Sequence, residues 1–239
     1  MHGVVPAAGA GTRLRPLTEE RPKGLVEVDG RPLLAYVFDT LLDAEVTELV
    51  VVIGHLGEKI VAHFGDEYRG RPITYVHQRE RLGLGHAVAR AEAHVEGSFV
   101  VLNGDNVFTG GIEPALDRFG RSGVDAVLLV ESVSEAAARE TGVLAVDGTR
   151  VVDVVEKPAD PPSTLITTGC YVLPQSIFDA LELLQPSARG EYELSEAVGL
   201  LVASGRRVEA VPIPGERVNV NTEADVERAE RLFEGATGS

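Results

Sequence analysis

Val4-Val5-Pro6-Ala7-Ala8-Gly9-Ala10-Gly11 is the stretch on which the fold turns. An apolar run that passes without a charge into small residues reads as a buried strand, Val4 to Ala8, feeding a tight glycine-rich turn. Leu49-Val50-Val51-Val52-Ile53, then Gly54, is apolar on both faces, as in a central parallel strand. Phe99-Val100-Val101-Leu102 is a third buried run and ends at Asn103-Gly104-Asp105-Asn106. Helical periodicity separates these runs, from Pro32 to Asp43 with proline near the start, and over shorter spans at 58–64, 85–93 and 113–119. Strands at 73–76 and 126–130 complete the alternation, which predicts a doubly wound, mostly parallel α/β sheet.

The pattern then changes. Gly142 to Val146 and Val151 to Val155 flank Asp147-Gly148, a hairpin signal. A strand around Tyr171, helices near 177–184 and 194–203, a strand at 208–211 and a last helix from Glu223 to Phe233 follow. One domain over residues 1–234 is the economical reading, with the hairpin half as a lid or second wall and residues 235–239 as a fraying tail. In such sheets ligands sit beyond the carboxyl ends of strands, which points to the turns after Val5, Val76 and Leu102.

Composition narrows the partners. The 239 residues carry 22 basic and 37 acidic side chains, a formal net charge of −15. That field repels nucleic acid and anionic membranes, and no aromatic–basic interleaving opposes it. No apolar run approaches the roughly 18 residues of a membrane span, and the first residues lack the basic and apolar regions of a signal peptide. The single cysteine, Cys170, forms no disulfide framework, and none of the six histidines has metal-ligand spacing. The expected compartment is the cytoplasm. Only three basic residues are lysines (Lys23, Lys59, Lys157), against 19 arginines, a bias that fits a salt-loaded, halophilic interior. A lysine retained in such a chain marks a place where a compact ammonium is useful.

The first turn continues Gly11-Thr12-Arg13-Leu14-Arg15-Pro16-Leu17-Thr18, then Pro22-Lys23. It begins like a dinucleotide fingerprint, but Leu14 stands where the third glycine belongs. It is not a Walker loop, because lysine precedes glycine at Lys23-Gly24. Exposed backbone N–H groups beside Arg13 and Lys23 make a phosphate-binding turn.

Gly9-x-Gly11-Thr12-Arg13-Leu14-x-Pro16-Leu17-Thr18-x4-Lys23 resembles the signature loop of the sugar-1-phosphate nucleotidylyltransferases, above all the glucose-1-phosphate uridylyl- and thymidylyltransferases of halophilic archaea. The resemblance spans nearly the whole chain. It implies a Rossmann-like, mixed α/β sheet of the nucleotide-diphospho-sugar transferase type with a hairpin-containing sugar half. It also implies transfer of a nucleotidyl group from UTP or dTTP to a hexose 1-phosphate. Arg13, Lys23 and Asp105 are then the catalytic residues, and Ala8, Gly9, Gly11 and Thr12 join Arg13 and Lys23 around the nucleotide. His77-Gln78 and Leu82-Gly83-Leu84-Gly85-His86 are similar to the base-reading segment. The Gln78 amide there accepts from the N3–H of uracil or thymine and donates to a ring carbonyl, while Gly83 lets the base lie on backbone. Thr141-Gly142, Val155-Glu156-Lys157-Pro158 and Thr168-Gly169 are similar to the sugar-phosphate segments, which assigns Gly142, Glu156, Lys157 and Thr168 to the acceptor. Asp105 is similar to the first Mg²⁺ ligand.

Two departures stand out. Where the family often has a second metal-binding aspartate, this chain has Asn219, and an amide oxygen also binds Mg²⁺. Pro6 replaces an aliphatic residue in the first strand. Alternatives are a nucleotide-sugar sensor that does not turn over, and a guanylyl or cytidylyl transferase of the same fold. Arg189-Gly190-Glu191-Tyr192-Glu193 reads either as a motif near the sugar pocket or as a helix start with first-turn acids. Lys59 reads as a surface residue and Cys170 as an apolar filler. The sequence is compatible with a homo-oligomer.

Overall fold

The computed structural model describes residues 1–236. Strand β1 (His2–Ala7) leads into the glycine-rich turn, and a small hairpin of β2 (Glu27–Val28) and β3 (Arg31–Pro32) precedes helix α1 (Leu33–Asp43). Pro32 caps α1 at its N-terminus, where the missing N–H costs nothing. Then come β4 (Glu48–Ile53), α2 (Gly57–Phe64), β5 (Glu67–Tyr68), β6 (Arg71–His77) and α3 (Leu84–Ala89). Strand β7 (Phe99–Leu102) and the short β8 (Asn106–Phe108) precede α4 (Glu113–Phe119), β9 (Ala126–Ser132) and α5 (Glu135–Ala138). The hairpin is β10 (Gly142–Asp147) and β11 (Arg150–Glu156), followed by β12 (Leu165–Leu173), α6 (Ile177–Leu183) and α7 (Leu194–Ala203). The chain finishes with β13 (Val208–Pro212), β14 (Arg217–Asn219) and α8 (Glu223–Ala236).

Ten strands form one sheet in the order β10-β11-β13-β9-β12-β7-β1-β4-β6-β5. The pairs β1–β7, β1–β4, β4–β6 and β9–β13 are parallel, and β12 runs antiparallel between β7 and β9. The parallel character is therefore concentrated in the half built from β1, β4, β6 and β7. Apolar residues of β1 and β4 alternate between two cores. Val4, Val50 and Val52 pack with α3, α6 and α7. Val5, Val51 and Ile53 pack with Phe38 and Leu41 of α1. Both faces are covered, which is why these strands read as unbroken apolar runs.

A third core joins Leu14, Val28 and Leu33 to Val107, Val218 and Ala229, and so packs α8 against the turn that follows β1. Helix α8 runs to Ala236, two residues into the span read as a tail. No proline interrupts the intrahelical ladder begun at Glu223. The remainder of the expected tail, 237–239, lies outside the described residues. Among the described residues no helix is long and apolar enough to cross a membrane.

Candidate active site

A cleft of about 420 Å³ opens at the carboxyl ends of β1, β6 and β7, and the three candidate turns share it. Its wall includes Ala8, Gly9, Gly11, Thr12, Arg13 and Lys23 from the first turn, Gln78 and Gly83 from the second, and Asn103 and Asp105 from the third. Parallel strands side by side present all these turns at one edge, so residues about 80 positions apart share one wall.

Gly11 lies at φ +59°, and a Cβ there would sit 3.0 Å from the Thr18 side chain and 3.2 Å from Lys23 Cβ. The loop folds back further through the Thr18 hydroxyl, which donates to the Gly11 carbonyl at 2.7 Å. Lys59 is exposed, as expected, but its ammonium donates to the Glu20 carbonyl and ties α2 to the same loop.

The cations of the turn are engaged with one another's partners. Lys23 Nζ lies 2.7 Å from Asp105 Oδ2 and 2.8 Å from Asn221 Oδ1, and its side chain is only 11% exposed. Arg13 donates to the same Asn221 oxygen at 3.1 Å. Asn221 is the functional residue that sequence reading passed over. It lies two positions beyond Asn219, past the end of β14, and unlike Asn219 it lines the cleft. Asn219 itself pairs with Asn106 in the β8–β14 ladder, and the next amide, Val220 N–H, donates to the Asp105 carbonyl at 2.9 Å. Asn219 Oδ1 and Asn103 Oδ1 are buried acceptors with no donor. Arg217 fastens this ladder to the sheet. It donates to Asn106 Oδ1 at 2.7 Å and to the Thr168 carbonyl at 3.2 Å, and it pairs with Glu131.

Gln78 is 5% exposed, and its amide nitrogen is already committed: it lies 3.1 Å from the Gly83 carbonyl and 2.9 Å from His86 Nδ1. The expected donation to a ring carbonyl is thus not available, and the accepting half of the expectation remains. Gly83 (φ +98°) tolerates no side chain, since a Cβ would fall 2.7 Å from the Tyr192 carbonyl.

Gly142 and Glu156, two of the four residues expected at the acceptor, lie side by side outside the cleft wall. Glu156 accepts from Ser195 Oγ at 2.7 Å and from Arg189 at 3.4 Å, and it faces Gly142 across the β10–β11 ladder. Arg189 also holds Glu193 at 2.5 Å and lies 3.8 Å from Glu191, which lines the cleft. The segment 187–193 is clasped to the turn at 82–85 by Tyr192 N–H to the Leu82 carbonyl (2.7 Å) and Gly85 N–H to the Tyr192 carbonyl (2.8 Å). Lys157, at φ +43°, is exposed just past β11 and stands outside the cleft wall. Thr168 is 0% exposed, and its hydroxyl donates to the Leu129 carbonyl, turned away from the cleft. Burial pushes the Cys170 thiol far up, which suits a filler and not a nucleophile.

The nucleotidyl transferase family model matches residues 2–217. The UTP–glucose-1-phosphate uridylyltransferase AglF of Haloferax volcanii is 47% identical over 99% of this chain and 98% of its own length. A glucose-1-phosphate thymidylyltransferase of Streptomyces griseus is 34% identical over 97% of this chain and 66% of its own. Among solved structures, a UDP-glucose pyrophosphorylase in complex with UDP-glucose superposes with a TM-score of 0.89, at 23% identity and 98% coverage of both chains, and shares the fold. The chain belongs to the nucleotidyl transferase family.

Proposed function

We propose that this enzyme transfers the uridylyl or thymidylyl group of UTP or dTTP to glucose 1-phosphate, releasing pyrophosphate. The observation that carries the reading is the meeting of Arg13, Lys23 and Asp105 on the wall that also holds Gln78. Two cations and a carboxylate suit a triphosphate, and a buried amide acceptor suits an imide base. The 47% identity to a uridylyltransferase makes UTP and glucose 1-phosphate the first pair to test.

The reaction is one in-line displacement. An oxygen of the sugar phosphate, already anionic at neutral pH, bonds to the α-phosphorus, and the bond to the bridging oxygen breaks with its electron pair going to pyrophosphate. No general base is needed, so positioning and charge stabilisation are what the protein supplies. Arg13 and Lys23 exchange their Asn221 and Asp105 contacts for phosphate oxygens and stabilise the leaving side. Asn221 is neutral and gives them up without leaving a bare charge. Glu156, held by Ser195 and Arg189, keeps a free lone pair on each oxygen for sugar hydroxyls. Gly142 leaves room beside it, and a Cβ there would lie 3.2 Å from Glu156 Oε2. Lys157 is assigned to the acceptor phosphate and Thr168 to the backing of this wall.

The residues present suit magnesium. Asn219 Oδ1 is an orphaned buried acceptor in the ladder residue just before Val220, whose N–H holds the Asp105 carbonyl. The set is oxygen-only, and the described residues contain no cluster of three or more His, Cys, Asp or Glu. That is the donor set of an ion that keeps water and phosphate oxygens. Asp105, on the cleft wall, would hold it; Asn219, the second expected ligand, is not on that wall, whereas the amide oxygen of Asn221 is, sharing Lys23 with Asp105. When bound the ion supplies positive charge to the triphosphate as charge moves to the leaving group. The acidic, lysine-poor surface supports a high-salt cytoplasm as the working environment.

The test is pyrophosphate release with Mg²⁺, pairing UTP, dTTP, CTP and GTP with glucose-, N-acetylglucosamine- and mannose-1-phosphate, in dilute buffer and in molar KCl. UTP or dTTP with glucose 1-phosphate is expected to be fastest. Absence of turnover with every pair in both salts would discard the proposal.

A further inference from the structure

The base-reading turn holds a constraint on Gln78 that the transfer reaction does not itself require. The Gly83 carbonyl can only accept, so the Gln78 atom 3.1 Å from it is the amide nitrogen. That nitrogen's second contact is His86 Nδ1 at 2.9 Å. A nitrogen that can only donate forces Nδ1 to accept, and the proton of the neutral ring then sits on Nε2. Both amide hydrogens are spent inside the protein. The Gln78 main chain is fixed as well, its N–H donating to the Ile53 carbonyl at 2.8 Å. Oε1, which has no protein donor among the described residues, is the amide's one open end on the cleft. The imidazole is steadied in turn by Tyr192, with ring centroids 6.3 Å apart.

We infer that His86 is a positioning residue for base choice, holding the Gln78 amide so that it offers the base an acceptor and never a donor. Uracil and thymine present N3–H to such an acceptor. Cytosine presents a lone pair at the same ring position and leaves Oε1 facing it unpaired, which is the costly arrangement in a largely buried site. The device is indifferent to the C5 methyl and to the 2′-hydroxyl, so it sorts UTP and dTTP together against CTP. The inference rests on the reading of the cleft as a pyrimidine-triphosphate site and deepens it.

The experiment compares kcat/KM for UTP and CTP, with glucose 1-phosphate as acceptor, in the wild type, His86→Leu and His86→Asn. Leucine removes the acceptor, whereas asparagine places its Oδ1 where Nδ1 stood. The wild type is expected to favour UTP at least ~30-fold, in keeping with an unpaired buried polar group. His86→Leu is expected to cut that ratio about tenfold, through KM more than kcat, and His86→Asn to return it to within about threefold, one hydrogen bond being the difference. A folded His86→Leu with an unchanged ratio overturns the inference. Should the leucine variant fail to fold, the wild type still decides: ¹⁵N spectra of His86 must show Nδ1 unprotonated, and an Nδ1–H tautomer overturns the assignment. A wild type that turns over no pyrimidine triphosphate counts against the functional reading instead, and the tautomer result stands apart from it.

Discussion

Lys23 Nζ lies 2.7 Å from Asp105 Oδ2, joining the end of the phosphate turn to the turn after β7 across 82 residues of sequence. In the free enzyme the ammonium therefore neutralises a carboxylate that must later share the site with a polyanion. Charge-assisted bonds of this length are strong, so the proposed function requires an exchange of partners when the triphosphate enters.

Removing either member should stop chemistry without unfolding the chain. Lys23→Ala and Asp105→Ala are each expected to lower kcat at least ~100-fold, the loss typical of a stabilising group aimed at transition-state charge. Steady-state pyrophosphate release with circular dichroism on the same samples checks this. Near-normal turnover in both variants would remove the role assignment.

Asn221 receives both Lys23 and Arg13 on one oxygen. Asn221→Leu should raise KM for the triphosphate about tenfold, because both cations lose the acceptor that aims them. Asn221→Asp should also raise KM, for a different reason: a second carboxylate beside Asp105 competes with phosphate for the same cations. A titration of triphosphate concentration at saturating sugar phosphate separates these effects from kcat.

Glu209 makes a pH prediction outside the cleft. Its side chain is 0% exposed and is bonded by Arg118 and Arg207. Burial pushes its carboxyl up, but hydrogen bonds and charge from the two arginines outweigh this and hold it below the usual carboxylate range. A group depressed in the folded state stabilises above its unfolded pKa, near 4.3, and that contribution fades as pH falls through the folded value. Urea midpoints measured from pH 6 to pH 3 should fall less steeply for Glu209→Gln than for the wild type. At pH 7 Glu209→Leu should cost on the order of 1–2 kcal/mol, most of it from the largely buried Arg118 losing its partner, since Arg207 is exposed and is re-solvated.

The net charge of −15 opposes the gathering of two anionic reactants in dilute buffer. At molar salt the screening length is about 3 Å, so distant acids cease to matter while the contacts of Arg13 and Lys23 persist. Turnover and thermal midpoint should both rise between 0.05 and 2 M KCl, as about a Debye length's contraction requires. A flat profile would leave the acidic surface without this role.

Local patterns carried much of the fold. Phe99–Leu102 and Leu194–Ala203 have the limits their apolar runs and periodicity announce, because burial on two faces or on one helical stripe is written into neighbouring residues. The β8–β14 ladder was not legible. It has three residues a side, is rich in asparagine and polar groups, and joins segments about a hundred positions apart. The antiparallel entry of β12 between β7 and β9 is likewise a long-range choice. At the site, the phosphate turn announced itself through glycines and cations in one stretch. Asn221 did not, since its meaning comes from where Lys23 and Arg13 arrive, 198 and 208 residues away. Thr168 matched a motif by position, but β12 turns its hydroxyl toward Leu129.

The clasp between Tyr192 and the Leu82–Gly85 turn has a bearing on redesign. Because the same short loop carries Arg189 toward Glu156 and backs Gly83, a loop graft meant to retune the proposed sugar side would also disturb the proposed nucleobase side. Engineering a new acceptor preference is better begun on β11 and α7, where Glu156 and Ser195 can be varied while that shared hinge-pin stays untouched.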